Sequence, residues 1–506
     1  TVSFAPGCSK TVRENFNLAT ALLHSFEYSE AEKVFAKVIE DDPQCAMAYW
    51  GAAMCNFHPL WEPPGPADLR KGSRVVALGR AFAKTGTRES DYLEAVATIY
   101  DEWEKLEYRT RLLKFEEAAQ RVFEKYPKDN EAAIFYALAL RAASDPSDKS
   151  FAKQRKAGQL LEARFTREPN HPGIAHYIIH NYDYPELAEM GLAAARSYAA
   201  IAAASAHAQH MPSHIFVRLG LWDEAIRSNV KSIDAAQCYA QNVGMKGHWD
   251  EELHGVDYLV YAHLQTGNDE EALRQTDNLK TFDEVFPQNF KDAYSFAAVP
   301  ARYALERKDW KEAAQLQFNR SNLNWGKFPW EQANVTFARL LGAVHLGKLD
   351  QAHEELRRLR AAQQTLADSK DNYKANLVMI QVKSSEGWIN FAEGKHTAAV
   401  NLMREAADME DKTEKHPVTP GEILPARELL GDMLLEMNQP ALALEAYRED
   451  LKRHPNRLNG LYGAARAEEM LSHKDRAIEY YKQMIAQSVP TSVRPEIVKA
   501  RSVAAQ

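Results

Sequence analysis

The chain has 506 residues, of which 45% are hydrophobic and 26% are charged, and its formal net charge at pH 7 is −8. This composition predicts an extended folded core and excludes general disorder. A negative net charge without long Lys/Arg blocks disfavours a protein that binds nucleic-acid backbones. No apolar run approaches the roughly 18 residues that a membrane-spanning helix needs, so neither a span nor a signal peptide is expected.

The cysteines and the first residue bear on the compartment without deciding it. The chain starts at Thr1 rather than Met, which agrees with export after removal of a leader and equally with a cytoplasmic protein. Four cysteines are too few for a disulfide-built fold. Cys8 and Cys45 each precede the first helix of neighbouring predicted repeats. They are either bridged, which favours an oxidising compartment, or two unrelated buried thiols.

A recurring sequence ending organises the chain. Ala31, Phe35 and Pro43 show an A-x3-F…P pattern near the start. The pattern returns twice with good spacing, at Ala157, Leu161 and Pro169 and at Ala443, Tyr447 and Pro455, and part of it recurs 34 residues later at Ala477 and Tyr481. Less regular copies centre on Ala119, Ala225, Ala272, Ala313, Ala352 and Ala399. The repeats therefore cover nearly the whole chain.

Each repeat predicts one helical hairpin, because segments such as EALR and EAAQ favour helix and no sustained period-two alternation occurs. One hairpin cannot bury its own apolar face, so stability must come from stacking. We expect an all-α, right-handed solenoid of about ten to twelve hairpins. The site divides it into an N-terminal segment (1–170), a central histidine-rich segment (171–280) and a C-terminal segment (281–506). Proline-rich breaks at 61–69 and 416–425 predict loops that widen or cap the inner groove.

Over most of its length the chain resembles the tetratricopeptide-repeat superfamily. The resemblance implies that side chains from the first helix of each hairpin line a concave wall, and that this wall binds peptides or partner proteins. The segments HPLW, HYIIHNYD and HMPSHIF are similar to those of a group of bacterial repeat proteins, a resemblance that implies no particular activity.

Histidines recur at the repeat period. His176 and His180 are followed 34 residues later by His210 and His214. When each repeat is numbered so that its packing small residue is position 20, the inner-stripe residues align. Position 5 holds His176, His210 and Asp257; position 9 holds His180, His214 and Tyr261; position 2 holds His207 and His254; position 12 holds Asp183. Positions 2, 5, 9 and 12 share one helical stripe, so neighbouring hairpins turn these groups toward a common space.

This stripe predicts a transition-metal site, since His and Asp suit zinc, iron or copper. The expected ligands are His176, His180, His210, His214, His254 and Asp257. Metal-free polar recognition and chance enrichment are the alternatives. Pro212 reads as the start of its helix, which places His207 and His210 in the preceding loop or cap. His176 and His180 are therefore the primary pair, followed by His214.

Other polar groups on the same wall are candidates for catalysis or substrate binding. The catalytic candidates are Asp183, Glu252, Tyr261 and Arg218, and the substrate-binding candidates are His58, Trp61 and His207. Glu252 either orients an imidazole or acts as general base, or it simply favours the helix dipole. Arg218 is suited to a carboxylate or phosphate. His263 reads as a core histidine, and His24, near a predicted turn, as a residue without function.

No phosphate-binding loop, dinucleotide fingerprint, H-E-x-x-H or G-x-S-x-G motif occurs. The preferred hypothesis is a metal-dependent enzyme in which the metal activates water or dioxygen against a small organic substrate in the groove. The alternative is a non-catalytic scaffold that binds a peptide terminus or acidic ligand. The oligomeric state stays open.

Overall fold

The computed structural model describes residues 2–60, 63–318 and 322–505. Its helices form two compact units. The first consists of the chain up to Asp183 together with Glu189–Pro212, and the second of Tyr184–Ala188 together with the chain from Ser213 onward. The division into 1–170, 171–280 and 281–506 rests on the location of the site rather than on compactness, and it stays a prediction.

The first unit begins with a short 3-10 helix, Lys10–Val12, and continues in α-helices. These are α1 (Arg13–His24), α2 (Tyr28–Asp41), α3 (Ala46–Phe57), α4 (Pro66–Phe82), α5 (Arg88–Tyr100), α6 (Tyr108–Lys125), α7 (Asn130–Ala142), α8 (Ala152–Phe165), α9 (Pro172–Tyr182), α10 (Ala188–Ile201) and α11 (Ala206–His210). The first residue of α10, Ala188, is grouped with the second unit.

The second unit is likewise helical, with a 3-10 helix at Trp325–Lys327. Its α-helices are α12 (Pro212–Arg218), α13 (Trp222–Asn242), α14 (Asp250–Gln265), α15 (Asp269–Leu279), α16 (Phe290–Glu306), α17 (Trp310–Ala313), α18 (Pro329–His345), α19 (Leu349–Asp368), α20 (Asn372–Ala392), α21 (His396–Asp411), α22 (Ala426–Glu436), α23 (Pro440–Arg453), α24 (Leu458–Met470), α25 (Lys474–Gln487) and α26 (Pro495–Ala504). Two strands of two residues each, β1 (His248–Trp249) and β2 (Val285–Phe286), pair in parallel with His248 opposite Val285. The sequence contained no signal for this pair, because two residues are too short to show alternation.

Consecutive helices pack as hairpins. Among the described residues, ten such pairs contact each other directly: α1/α2, α3/α4, α5/α6, α7/α8, α14/α15, α16/α17, α18/α19, α20/α21, α22/α23 and α24/α25. Within each unit, successive hairpins of this set also pack on one another, for example through α2 and α3, α6 and α7, and α19 and α20. The predicted all-α solenoid of stacked hairpins is confirmed.

Stacking depends on small residues that receive aromatic rings. Phe35, on the outer helix of the first hairpin, is fully buried. A Cβ atom at Gly51, on the following helix, would lie 2.2 Å from the Phe35 ring, so only glycine fits there. Tyr447 inserts in the same way between Gly431 and Gly463. Burying each such aromatic side chain contributes roughly 1.5–3 kcal/mol, and it requires both neighbouring hairpins.

The second proline-rich loop covers part of the inner face, as predicted. It joins α21 to α22 and is anchored by its backbone carbonyls: Tyr258 donates to Thr419 at 2.9 Å, and Arg302 donates to Gly421 at 2.7 Å. Tyr258 and Arg302 belong to the inner helices α14 and α16. Of the helices in the described ranges, none combines the length and the apolar character that crossing a membrane requires.

Cys8 and Cys45 form a disulfide, with their Cα atoms 4.9 Å apart. It joins the N-terminal segment to the residue that precedes α3. The bridged alternative is therefore correct. The two remaining cysteines are free thiols, Cys55 buried and Cys238 exposed.

We expect iodoacetamide to modify one cysteine in the native, unreduced protein, two after denaturation, and four after denaturation with reduction. The order follows from exposure, because only Cys238 is accessible before unfolding. Intact-protein mass spectrometry measures the number of adducts. Replacing Cys8 and Cys45 together by alanine should destabilise the first unit by about 2–4 kcal/mol, as expected for a bridge that closes a loop of this length. Four adducts after denaturation alone would contradict the bridge.

Candidate metal centre

Helix α9 carries the first two histidines of the site. Pro172 starts the helix, because its fixed φ suits the first helical position, and the helix ends at Tyr182, before Pro185. His176 and His180 therefore lie one turn apart, as predicted. Both are buried, and their ring centroids are 4.8 Å apart.

The third histidine comes from α11. Pro212 does start α12, as predicted, but the expectation that His207 and His210 lie in a loop or cap is wrong, because they lie on the separate short helix α11. Ser205 caps this helix by accepting from the Ala208 amide. The same hydroxyl donates to Glu27 at 2.6 Å, which fixes where α11 begins.

These helices bring His176, His180 and His207 together, and we call the three the His176 cluster. One nitrogen of each ring lies within 4.8 Å of the others. Nε2 of His176 and Nε2 of His207 are 3.1 Å apart. The sequence prediction had assigned His207 to substrate binding, whereas the structure places it among the candidate ligands.

One hydrogen bond determines which nitrogen His176 presents to the cluster. Nδ1 of His176 lies 2.6 Å from the backbone carbonyl oxygen of His24. A carbonyl only accepts, so Nδ1 carries the hydrogen and Nε2 of the neutral ring keeps its lone pair. Histidine ligands of metals are held in this way, with the other ring nitrogen donating to a carbonyl or carboxylate.

Aromatic rings surround the cluster. The Phe26 ring centroid is 4.4 Å from that of His176, 5.3 Å from that of His180 and 5.8 Å from that of His207. Tyr198 stacks on His176 at 5.1 Å. These apolar faces lower the local dielectric, so interactions between the imidazoles and any charge among them are strengthened.

A second buried group supports His24. The Glu131 carboxylate accepts from Nε2 of His24 at 2.8 Å and from Nε2 of His171 at 2.9 Å. Burial lowers the pKa of His24, so its ring is neutral and Nδ1 accepts from the Tyr177 hydroxyl at 3.0 Å. Burial opposes ionisation of Glu131, but the two histidines outweigh it and hold the pKa of its carboxyl well below the usual range. Although these groups also fit a cation, hydrogen bonds already join Glu131 to both histidines and His24 to Tyr177.

Sequence reasoning missed this support. His24 read as a turn residue without function, yet it is fully buried and its carbonyl orients His176. One signal was present: Gly173 occupies position 2, where later repeats have His207 and His254. A Cβ atom at Gly173 would lie 2.3 Å from Nδ1 of His24, so the glycine makes room for a histidine from another helix.

In the second unit, His214 and His254 lie near each other beside Tyr258. The His214 ring centroid is 6.4 Å from that of His254 and 5.2 Å from that of Tyr258. Tyr258 donates its proton to the Thr419 carbonyl, so its oxygen accepts from Nδ1 of His214 at 3.3 Å. His214 therefore also has Nε2 as its acceptor nitrogen. His210 is buried in the first unit.

Asp257 and Tyr261 engage arginines. Oδ1 of Asp257 pairs with Arg302, and burial raises the pKa of the carboxyl to about 6 despite that partner. Tyr261 accepts from Nη1 of Arg457 at 2.9 Å, and burial raises its pKa to about 12. Both residues lie on α14, as their repeat positions predicted. The repeat period gave no sign that they contact arginines of other hairpins. Within the described ranges, Asp257 joins none of the groups of potential ligand atoms.

Two acidic candidates, Asp183 and Glu252, belong to none of the groups of convergent ligand atoms found among the described residues. Asp183 is a buried residue at the C-terminal end of α9. Glu252 accepts from Gln237 at 2.8 Å and contacts His248, rather than His254, at 2.9 Å. These roles stay predictions.

Arg218 contacts a carboxylate, and His58 contacts an aromatic ring. Nη2 of Arg218 lies 3.8 Å from the half-buried Glu414 carboxylate, and the predicted role of Arg218 stays a prediction. His58 ends α3 in the left-handed conformation and packs edge-on against Tyr28 at 4.9 Å. His263 is buried, as predicted for a core histidine. Trp61 lies outside the described residues.

We expect Gly173→Ala to displace the His24 ring and destabilise the first unit by about 1–3 kcal/mol, the usual cost of overpacking a filled core. Thermal and denaturant unfolding measure the effect. Gly326→Ala is the matched control, since its added Cβ would meet only Asn324 at an ordinary 3.4 Å. Equal stability of Gly173→Ala and the parent protein would show that His24 is not held as described.

Comparisons with known proteins found one family profile and several solved structures. The family profile described as "Tetratricopeptide repeat" matches residues 429–492. No curated protein matches the chain in sequence. Solved structures similar to it include a human IFIT1 dimer with m7Gppp-AAAA, at 11% identity over 92% of this chain and 94% of that chain with a TM-score of 0.37. Yeast Tom70 is similar at 13% identity over 98% and 96% of the two chains, with a TM-score of 0.32. The matched residues span most of α22 together with α23, α24 and α25, so this part of the chain is similar in sequence to a tetratricopeptide repeat.

Proposed function

We propose that this repeat protein binds one transition-metal ion through His176, His180 and His207, and that the metal activates water or dioxygen against a small organic substrate. The observation that supports this most directly is the convergence of three buried imidazoles whose nitrogens lie within 4.8 Å of one another. A cluster of buried imidazoles is informative, because most polar side chains of a folded protein stay at least partly exposed.

The geometry of the support favours a ligand role over simple packing. His24 directs Nε2 of His176 into the cluster, and Glu131 with Tyr177 fixes His24. Three imidazoles suit zinc, iron or copper, and they leave a fourth position of a tetrahedral ion for water or substrate. A bound zinc ion would lower the pKa of its water to about 7, and iron or copper would supply the redox chemistry for dioxygen.

A non-catalytic scaffold is the second candidate. Phe26 lies within 5.8 Å of all three imidazole centroids, which favours a closed site where a metal would tie α9 to α11 without turnover. The groove would then act only in binding peptides or proteins, as the superfamily resemblance implies. The two candidates share the ligands and differ in whether the metal accepts an exogenous group.

The Cys8–Cys45 disulfide supports location in an oxidising compartment. Such a compartment also suits a site of histidines without thiolates, because imidazole ligands are not oxidised to disulfides. Retention of the bridge in protein recovered from its native host tests this part of the proposal.

The metal proposal predicts uptake of about one equivalent of Zn²⁺ or Co²⁺ by protein purified without an affinity tag. His176→Ala, His180→Ala and His207→Ala should each weaken uptake by at least about a hundredfold, since losing even an outer partner of a ligand costs 10–100-fold. Elemental analysis after dialysis and the visible spectrum of the Co²⁺ form measure both. Three nitrogen ligands should also appear in X-ray absorption.

His263→Phe is the matched control, because this buried histidine belongs to the second unit and neighbouring repeats have aromatics at its position. It should bind metal like the parent protein. Uptake below about a tenth of an equivalent by folded parent protein would refute the metal site. If the three alanine variants took up as much metal as the parent protein, other residues would have to be the ligands.

Azide added to the Co²⁺ form separates the two candidates. A centre with an open position should change its visible spectrum, and Phe26→Ala should strengthen azide binding by removing a ring that covers the imidazoles. A spectrum that azide leaves unchanged in both proteins would contradict the catalytic proposal and favour the scaffold. Circular dichroism confirms that Phe26→Ala remains folded.

A further inference from the structure

We propose that the helices α1, α3 and α5 form a binding groove for an extended peptide with an aromatic residue. Residues 2–9 of the chain occupy this groove in the bridged protein, and reduction of the Cys8–Cys45 disulfide opens it to a peptide of a partner protein. We call it the Phe4 groove, and the residues that form it are Phe16, Asn17, Trp50, Arg88 and Tyr92. It is independent of the metal proposal, because it shares no residue with the His176 cluster.

Buried and exposed side chains alternate along residues 2–6, which belong to no helix or strand. The buried residues are Val2, Phe4 and Pro6, and the exposed residues are Ser3 and Ala5. An extended backbone produces this period of two, because successive side chains point to opposite sides. One face of the segment therefore contacts the protein as a bound extended peptide does, and the other face contacts solvent.

The ring of Phe4 lies among three aromatic side chains. Its centroid is 5.7 Å from that of Phe16, 5.8 Å from that of Trp50 and 5.4 Å from that of Tyr92. Phe4 is only 2% exposed. The three rings belong to α1, α3 and α5, the first helices of three successive hairpins. Burial of the Phe4 ring stabilises the bound segment, and the tilted and edge-on contacts favour an aromatic residue at this place.

Side chains of the groove also bind the backbone of the segment. Oδ1 of Asn17 accepts from the Phe4 amide at 3.1 Å, and Nη2 of Arg88 donates to the Ala5 carbonyl oxygen. The Arg88 guanidinium is also 5.3 Å from the centre of the Phe4 ring, a favourable cation–π distance. Every extended peptide has such amides and carbonyls, so these two hydrogen bonds recognise a backbone rather than a sequence.

Asp129 fixes the two groove residues of α5. Its Oδ2 accepts from the Tyr92 hydroxyl at 3.0 Å and from Nη1 of Arg88 at 3.2 Å. Asp129 caps the start of α7, so the next hairpin helps to shape the groove. Because these contacts join groove residues to the scaffold, they do not depend on the bound segment. A partner peptide therefore meets side chains that are already oriented.

The disulfide attaches the segment covalently to the groove. Cys8 is bridged to Cys45, which caps the start of α3, the helix that carries Trp50. Gly7 has a φ of +70°, a conformation that suits glycine, and the chain turns there between Pro6 and Cys8. A tethered ligand has a high effective concentration, so a free peptide with the same contacts does not displace it.

Reduction of the bridge removes this advantage. Cys8 is half-buried and Cys45 is 1% exposed, so the thiolate of a dithiol attacks the Cys8 sulfur and releases Cys45. The second thiolate of the dithiol then releases Cys8. Two electrons and two protons pass from the dithiol to the two cysteines, and the dithiol becomes a disulfide. The Ser9 amide still donates to Oδ2 of Asp42 at 2.8 Å, so residues 2–7 become free to leave while the start of α1 stays in place.

The contacts of the segment define the partner peptide. Only the Phe4 ring requires a particular kind of side chain, and its neighbours Ser3 and Ala5 are small and exposed. The groove therefore selects an extended stretch in which one aromatic residue stands between small residues. Once the bridge is reduced, a partner peptide with this pattern competes with the chain's own segment.

An open variant tests the proposal on the full chain. Phe4→Ala combined with Cys8→Ser removes both the ring and the bridge, and Ser3→Ala combined with Cys8→Ser is the matched control that keeps the ring. The probe is a fluorescent peptide of residues 2–9 with serine in place of Cys8. We expect the open variant to bind the probe at least about tenfold more tightly than the control, as measured by fluorescence anisotropy. The oxidised parent protein should not bind it at the same concentrations.

Two comparisons separate specific recognition from general stickiness. A probe with alanine in place of Phe4 should bind the open variant at least about tenfold more weakly. Asn17→Ala, added to the open variant, should weaken binding of the original probe about fivefold, because the peptide amide loses its acceptor. Asn15→Ala on the same helix is the control for Asn17→Ala. Equal binding of the two probes would overturn the groove.

The parent protein reduced with dithiothreitol gives a test without substitutions, and it should bind the probe as the control variant does. No binding by the reduced parent protein would overturn the redox control. No binding by the open variant, shown to be folded by circular dichroism, would overturn the groove, and so would equal binding by the open variant and the oxidised parent protein. A dimer that forms on reduction by exchange of residues 2–9, without binding of the probe, would assign the groove to a second copy and overturn the partner peptide.

Discussion

Everything in this fold depends on hairpins covering one another's apolar faces. Rings such as Phe35 and Tyr447 are buried only because the adjoining helix has glycine where the ring enters. This stacking at a near-constant period places equivalent inner-helix positions of successive repeats side by side. A short list of positions therefore decides which side chains the first helices of the hairpins present. Changing the residue type at one of them changes the chemistry without changing the scaffold.

In the His176 cluster, hydrogen bonds from the surrounding protein fix the orientation of a ring. Three imidazoles in an apolar environment are costly unless each nitrogen has a defined role, and here the carbonyl of His24 assigns the role of Nε2 in His176. Glu131, His171 and Tyr177 in turn hold His24. His24 thus contacts the cluster and is itself held by a second set of side chains. Gly173 leaves the space that the His24 ring occupies. A metal ion would be received by ligands that are already oriented.

The second unit uses the same register for different chemistry. Asp257 and Tyr261 occupy the positions that His176 and His180 occupy earlier, but Asp257 forms a buried ion pair with Arg302 and the Tyr261 hydroxyl accepts a hydrogen bond from Arg457. Such pairs contribute little net stability but strongly penalise misalignment, because a shift leaves a charge unpaired. Farther along, Asn334 and Gln381 place amides where other repeats have histidines. One stripe therefore holds imidazoles, an ion pair and hydrogen-bonding groups in turn.

The amino-acid sequence by itself determined the hairpins, the helix bearing His176 and His180, the start of α12 at Pro212 and the presence of a loop at 416–425, but not whether that loop widens or caps the groove. Each of these depends on local propensity or on the repeat period, which is visible along the chain. Only the tertiary structure decided that His207 lies beside His176 and that Asp257 pairs with Arg302. It also showed that His24 and Glu131 support the site. His24 lies 152 residues from His176 and 107 from Glu131 in the sequence. No periodic pattern marks contacts between such distant helices, because they arise from packing and from the need of buried polar groups for partners.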